Sequence, residues 1–484
     1  MNWTKTSASR FRRQGSGLCF GIKVALKEMG ERSVRIDRMV LVAVAAVGMT
    51  LTPSMGAGQQ ISKARAFDSK SSNIDMTLVK PETVGFSTER LERLHTLMDD
   101  AVKNQQVAGV VTILARHGKV VDYRTYGMQN IEKHEPMTKD TIFRDYSMTK
   151  VVTAVAMMKL YEQGKWMPSD PIAKYVPEFA HLKVYAGMDA SGKMILEDPV
   201  HAPTMAELMT HTAGFTYGIF GNTPVDQMVK DAHLFEAKDL HEFVTKLGGL
   251  PLLYQPGTKW VYSVSMDIQG YIVEKLSGKT LPEFYREEIF KPLGMKDAGF
   301  FVPEDKWSRF ATVYFVEPNG GLSDHGSANV NRRDFAHEPT MASGGGGMVS
   351  TAEDYFRFAE MLAHSGELNG TRLLSPASVR LMSANHLAPN LLTGEFSIGA
   401  QRMRPGFGYG YNCAVVFDPP TANLPEGKGT FFWDGAAGTW FWIDPTNDVV
   451  FVGMIQRMGG GPNTENLQYL SRGVVYGALV EPER

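Results

Sequence analysis

Residues 143–160 read FRDYSMTKVVTAVAMMKL. From Val151 to Leu160 the chain is apolar on nearly all sides, which predicts a helix buried all round. Gly164 lies just beyond as a C-cap candidate. Ser147 stands ahead of this helix and Lys150 opens it, three residues apart and so neighbours on one helix face. A lysine at the start of an apolar helix is costly to bury unless it is paired or used. Once buried it loses its proton near neutral pH and can accept one from a serine hydroxyl. The helix N-terminus adds partial positive charge that favours a developing oxyanion. Ser147 is the only serine in the chain with lysine three residues later. About one such pair is expected by chance in a chain this long, so other segments must support the reading.

Working outward, Ser87 can N-cap a helix with Leu91, Leu94, Met98 and Ala101 on one face, and Phe86 can staple to Leu91. Val107–Ala115 and Val120–Tyr126 are strand-like and joined at His117-Gly118, a hairpin with a short Gly turn. Beyond the central helix, Pro171, Pro177, Pro203, Pro224 and Pro256 break the chain into short helical and turn segments. Asp267–Leu276 reads as a further helix ending at Gly278. Gly344–Gly347 lead into a helix with a capping box, Ser350 and Glu353. No Gly-Lys-Ser/Thr follows them, so they are not a phosphate loop. Gly408–Phe417, Thr430–Trp433, Thr439–Ile443 and Val449–Ile455 read as strands. The expected architecture is α/β: an antiparallel sheet flanked by helices, built from residues 81–140 and 325–484, with a mostly helical domain, residues 141–324, inserted between.

The bulk composition agrees. A chain of 484 residues suits two domains and a leader. Hydrophobic residues make up 43%, enough for a large core. The formal net charge is -2, with no basic stripe interleaved with aromatics, which argues against nucleic acid as a partner. Residues 39–51, MVLVAVAAVGMTL, follow Arg32, Arg35 and Arg38 and have the length of a signal-peptide core. Residues 1–58 are therefore read as a leader and 59–80 as a linker. The mature protein is expected to be periplasmic or secreted, without membrane association once the leader is removed; an uncut N-terminal anchor is the alternative. Cys19 lies in the leader and Cys413 stands alone in the mature chain, so no intramolecular disulfide is expected. No metal-binding spacing occurs, and no cofactor is expected.

The block Phe143–Lys150 resembles the nucleophile segment of the class C β-lactamase and penicillin-binding superfamily, and within it the family VIII carboxylesterases. Asp170-Pro171 and Tyr175-Val176-Pro177 resemble its continuation. His211-Thr212-Ala213-Gly214 resembles a loop of the family that is mainly architectural. Gln255-Pro256-Gly257 and Trp260–Val264 resemble the setting of the superfamily's Tyr-x-Asn motif, followed by Gly270 and Ser277-Gly278. The resemblance gives Tyr262 the catalytic tyrosine position. Val264 replaces the usual asparagine, which helps hold substrate and lysine; valine has no side-chain hydrogen bond to offer. Trp433-Asp434-Gly435 stands where β-lactamases carry Lys-Thr-Gly. Trp433 removes the cation that would grip a lactam carboxylate and offers a flat apolar wall. Asp434 disfavours anions, and Gly435 permits close backbone approach. The resemblance implies an oxyanion hole from the amides of Ser147 and Ala436.

Together these readings predict a serine carboxylesterase for small, short-acyl esters. Ser147 would be the nucleophile, with Lys150 and Tyr262 handling its proton. Phe215, Tyr217 and Phe220 either line the pocket or belong to the core. A class C-like β-lactamase or D-amino-acid peptidase is the nearest alternative, and a noncatalytic penicillin-binding sensor is an alternative of another kind. No G-x-S-x-G occurs, which leaves the α/β-hydrolase route without a nucleophile.

Overall fold

The N-terminal hairpin forms as expected, with its first strand starting two residues later and its second ending four residues later than the sequence reading. Strand β1 is Gly109–Arg116 and β2 is Lys119–Asn130. The turn between them holds His117 and Gly118 at positive φ. The computed structural model describes residues 74–317, 321–324, 335–392, 396–398, 401–403, 405–459 and 465–481. The expected leader, most of the linker and the start of the C-terminal sheet segment at 325–334 lie outside these. Residues 69–484 form one compact unit. Residues 74–80, read as linker, contribute Ile74, Met76 and Val79 to the edge of the core.

Helix α1 (Thr88–Lys103) is capped by Ser87, whose side chain accepts from the Arg90 amide. The short strand β3 (Glu135–Pro136) edges the hairpin, and β4 (Ile142–Arg144) leads to the nucleophile segment. Helix α2 (Thr149–Glu162) follows, with every residue from Thr149 to Met158 buried. Between α2 and the C-terminal strands lie many short segments, among them α3 (Pro224–Asp231) and α4 (Ser265–Ser277), the latter ending at Gly278 in the left-handed region. Strand β5 (Val349–Thr351) pairs antiparallel with β4, and α5 (Ala352–Ala363) follows it. The cap of α5 is Thr351, which accepts from the Asp354 amide. The expected Ser350–Glu353 box is thus off by one residue, because Ser350 belongs to the strand and its hydroxyl donates to Asp145 instead.

The C-terminal strands are β6 (Phe407–Tyr409), β7 (Ala414–Val416), β8 (Thr430–Asp434), β9 (Trp440–Asp444) and β10 (Val449–Met454). The expected single strand Gly408–Phe417 is two strands, because Asn412 at positive φ turns the chain between them. The main sheet runs β6-β7-β8-β9-β10-β1-β2-β3, with every neighbouring pair antiparallel. Both ends of the chain therefore build one sheet, as expected. Strand β1 touches α1 and α5 and is buried at every position, which marks a sheet covered on both faces. Helix α6 (Leu467–Ala478) packs on α1. Among the described residues no helix is long and apolar enough to cross a membrane.

Two buried charges test this packing. Arg472 of α6 pairs with the buried carboxylate of Glu426 and lies over the rings of Phe432 and Trp442. Removing one partner of a buried pair strands the other charge, so Glu426→Gln should lower unfolding stability by about 3 kcal/mol in denaturant titration. Asp145 is wholly buried, its Oδ1 accepting from Ser350 and its Oδ2 reaching no partner. Burial pushes its carboxyl up to about 8, against the pull of the Ser350 hydroxyl. The unfolded chain releases this proton near pH 4 while the folded chain holds it to about 8, so the group's contribution to stability is complete at low pH and is lost as pH rises between the two. Stability should fall from pH 5 to pH 8 by at least ~1 kcal/mol more in the wild type than in Asp145→Asn, and equal pH slopes would contradict this.

Candidate active site

The turn into α2 positions Ser147. Tyr146 takes φ 44, a left-handed conformation unusual for a bulky residue, and Tyr146–Met148 form a 3-10 turn. The turn is tied to the strands around it. The Asp145 amide donates to Met348, the Met348 amide donates to Thr149 Oγ1, and the Tyr355 hydroxyl donates to the Met148 carbonyl. Ser147 Oγ then faces the cavity with two donors on it. Lys150 Nζ lies 3.0 Å away and Tyr262 Oη 2.7 Å away. The structure thus brings together the three residues singled out from sequence, which are separated by up to 115 positions.

Lys150 is fully buried. Besides Ser147 it donates to the Gly345 carbonyl at 2.5 Å and to the Tyr217 hydroxyl at 3.3 Å. Gly345 is itself held by Asp267 of α4, whose Oδ1 accepts from the Gly345 amide and the Ser343 hydroxyl. A Cβ on Gly345 would come within 2.7 Å of Asp267 Oδ2 and 2.8 Å of Tyr217 Oη. The glycine run therefore presents a carbonyl to a buried lysine. Sequence reading had excluded a phosphate loop there but assigned no role to Gly345 or Asp267. Val264 is buried at the N-cap of α4. With no side-chain amide at 264, the further contacts to Lys150 come from Tyr217 and Gly345.

Tyr262 sits in an aromatic layer. Its ring lies 4.9 Å from His211, 5.3 Å from Tyr217 and 5.7 Å from both Phe220 and Trp433, centroid to centroid. Burial pushes the phenol pKa well above its ordinary value. The hydrogen bond with Ser147 and the Trp433 indole pull the other way, while the carboxylates of Asp434 and Asp267 add to the rise. The resting side chain is therefore a neutral phenol that donates to Ser147.

A cavity of about 630 Å³ opens over Ser147, Tyr262 and Ala436, with Tyr217, Phe220 and Phe235 among its walls. Tyr217 lines it, as one of the two open readings held. Phe215 does not: it is buried against Phe179, its ring 5.3 Å away, because its loop turns it into the core. Trp433, 2% exposed, stands behind Tyr262 rather than on the cavity surface, and Val264 is likewise buried. Asp434 ends β8, opposite Trp440. Gly435 packs so closely that a Cβ would meet the Asp145 carbonyl at 2.3 Å, which places Ala436 at the cavity beside Ser147.

The beta-lactamase family model matches residues 94–474. An uncharacterised protein of Mycobacterium tuberculosis is 35% identical over 355 residues, covering 72% of this chain and 86% of that protein. Esterase EstB of Burkholderia gladioli is 30% identical over 386 residues, covering 76% of this chain and 91% of its own. Among solved structures, EstCE1, a hydrolase with promiscuous acyltransferase activity, superposes with a TM-score of 0.65 at 25% identity, covering 80% of this chain and 98% of that one. With its main sheet and the segment from Ser147 to Lys150 falling inside residues 94–474, the chain belongs to the beta-lactamase family and, within it, to the family VIII esterases.

Proposed function

We propose that this protein is a serine carboxylesterase that forms an acyl-enzyme on Ser147. The observation that carries the reading is the convergence of Lys150 Nζ and Tyr262 Oη on Ser147 Oγ at hydrogen-bond distance. Ser147 attacks the ester carbonyl and its proton enters the Lys150–Tyr262 pair. In the reacting form Lys150 is the free amine, with its two N–H groups on Gly345 and Tyr217 and its lone pair on the Ser147 hydroxyl, so it takes the proton while Tyr262 steadies the alkoxide by donating to it. The pair returns the proton to the departing alcohol, and water repeats the cycle to release the acid. The developing oxyanion is assigned to the amides of Ser147 and Ala436. EstB and EstCE1 support an esterase or acyltransferase chemistry for the chain.

The cavity extends the substrate reading. Its walls include Ile219, Phe220, Val229, Leu234 and Phe235, and its volume of about 630 Å³ suits a drug-sized apolar group. A short acyl chain would leave most of it for a bulky group on the other side of the carbonyl. The walls also carry Lys230, His233 and Glu236, and Trp433 stands where β-lactamases carry the lysine of Lys-Thr-Gly, which argues against recognition of a lactam carboxylate. We assign the enzyme to the periplasm or exterior on the apolar run at 39–51.

Ser147→Ala should abolish hydrolysis of a p-nitrophenyl ester while circular dichroism and thermal unfolding stay unchanged; a folded variant with substantial activity would end the proposal. Lys150→Ala and Tyr262→Phe should each lower kcat by on the order of 10² or more, and a loss of only a few-fold removes that residue from the catalytic set. On substrates, 1-naphthyl acetate should be cleaved at least as efficiently as p-nitrophenyl acetate, and kcat/KM for either should exceed that for nitrocefin by about 10² or more. Nitrocefin hydrolysis at ester-like rates would favour the β-lactamase reading.

A further inference from the structure

We infer that His211 is a positioning residue for Tyr262, acting through the acceptor lone pair of Nδ1 and not as an acid or base. This rests on the reading of Tyr262 as a proton-handling group. His211 is 1% exposed and takes φ 60, a left-handed conformation that histidine and asparagine adopt more readily than most residues. It grips the chain on both sides of Tyr262. Its carbonyl accepts from the Val261 amide at 2.9 Å, and its Nδ1 accepts from the Ser263 amide at 3.1 Å. Ser263 Oγ also lies 3.0 Å from Nδ1 and 2.8 Å from Ser265 Oγ, at the first residue of α4. One residue thus ties the backbone before and after the phenol, and links that backbone to the helix bearing Asp267.

The direction of the Ser263 bond settles the tautomer. A backbone amide can only donate, so Nδ1 carries the lone pair and Nε2 the proton. Nε2 is buried and reaches no acceptor among the described residues. Around it stand the rings of Tyr262, Trp260 and Tyr409, with centroids 4.9, 5.5 and 5.5 Å away. A buried N–H with no acceptor is a poor start for proton transfer, and neither ring nitrogen of His211 makes a hydrogen bond to Ser147, Lys150 or the Tyr262 hydroxyl. Burial, helped by the charge of Lys150, pushes the imidazole well below its ordinary pKa and keeps the Nδ1 lone pair free to accept. The ring packs against the face of the phenol while its Nδ1 holds the adjacent peptide. Together these fix where Oη stands, 2.7 Å from Ser147. Small errors there are expensive in rate: a misplacement of about 1 Å can cost ~10²-fold.

The two carboxamide side chains separate this role from bulk packing. Asparagine tolerates the left-handed backbone and can place an amide oxygen where Nδ1 stands. Glutamine fills the space but displaces its oxygen towards Nε2. His211→Gln should lower kcat on p-nitrophenyl acetate by about 30-fold or more with KM within about threefold, whereas His211→Asn should stay within about fivefold of wild-type kcat. In a Tyr262→Phe background, the same His211→Gln change should cost less than about threefold, because the group it positions is gone. A folded H211Q enzyme with wild-type kcat overturns the inference. So does H211N no better than H211Q, or an H211Q loss that multiplies unchanged onto Y262F. If H211Q does not fold, H211N decides alone: a folded H211N with kcat more than about tenfold down overturns the inference, and one within fivefold upholds it. High activity in Tyr262→Phe itself would instead sink the underlying reading of the site, an outcome distinct from all of these.

Discussion

A lysine amine held inside a protein core is the constraint around which this molecule is arranged. Lys150 opens a helix that is apolar on every face, and no part of the residue reaches solvent. Desolvating such a group costs several kcal/mol unless oxygens replace its hydration shell. The replacements include Ser147 one turn back and two groups from distant parts of the chain, Tyr217 in the loop after His211 and Gly345 in the glycine run before β5. The last contact explains the run's composition. Gly345 has no room for a Cβ, and the Gly344 carbonyl in turn accepts from Thr153 on α2. Asp267 then fixes the run from α4. The packing of α2 against α4 and the closure of the loop onto both serve one polar anchor.

The same burial decides how the proton is shared. A lysine amine with a neutral phenol and an ammonium with a phenolate hold the same number of protons, so the two groups titrate as a pair. The surroundings choose between the two forms. Tyr262 is enclosed by rings, and the carboxylates of Asp434 and Asp267 oppose negative charge on it. Negative charge on the phenol is disfavoured, which leaves Tyr262 as a donor to Ser147 Oγ. Asp434, an unusual residue in its motif, therefore acts on the tyrosine.

Much of this was legible in the sequence. The buried helix, the N-terminal hairpin and the C-terminal meander announce themselves by period and by glycine turns, and Ser147 and Lys150 by helical spacing. Tyr262 was visible through resemblance alone, since nothing in the periodicity around it marks a polar centre. What escaped reading depends on tertiary approach. Nothing about Tyr146 predicts a left-handed turn; the turn is imposed by the ties of Asp145, Met148 and Thr149 to neighbouring strands. Gly345 and Asp267 acquire meaning once a lysine from 195 positions away in sequence meets the loop. Phe215 and Tyr217 are two residues apart, and one faces the core and the other the cavity, a choice that composition does not encode. The one-residue error at the cap of α5 has the same origin, because Ser350 is claimed by the buried Asp145.

The division between the fixed and the adjustable parts of the site follows from these contacts. Lys150 sits on α2 and Tyr262 on the turn before α4, both buried where close packing leaves little freedom to vary. The cavity walls come largely from residues 217–236, loop and short helix, with Ile219 and Phe220 more than half exposed. Val264 shows that even an inner position can change if another group meets the same need. A valine offers Lys150 nothing, but Tyr217 reaches the amine from the cavity side and lines the substrate space with the same ring. One residue then couples the chemistry to the pocket, so a change in the wall at 217 is also a change in the environment of the base. A fold built this way can change which ester it accepts through its loops, provided each new wall still supplies Lys150 with an oxygen.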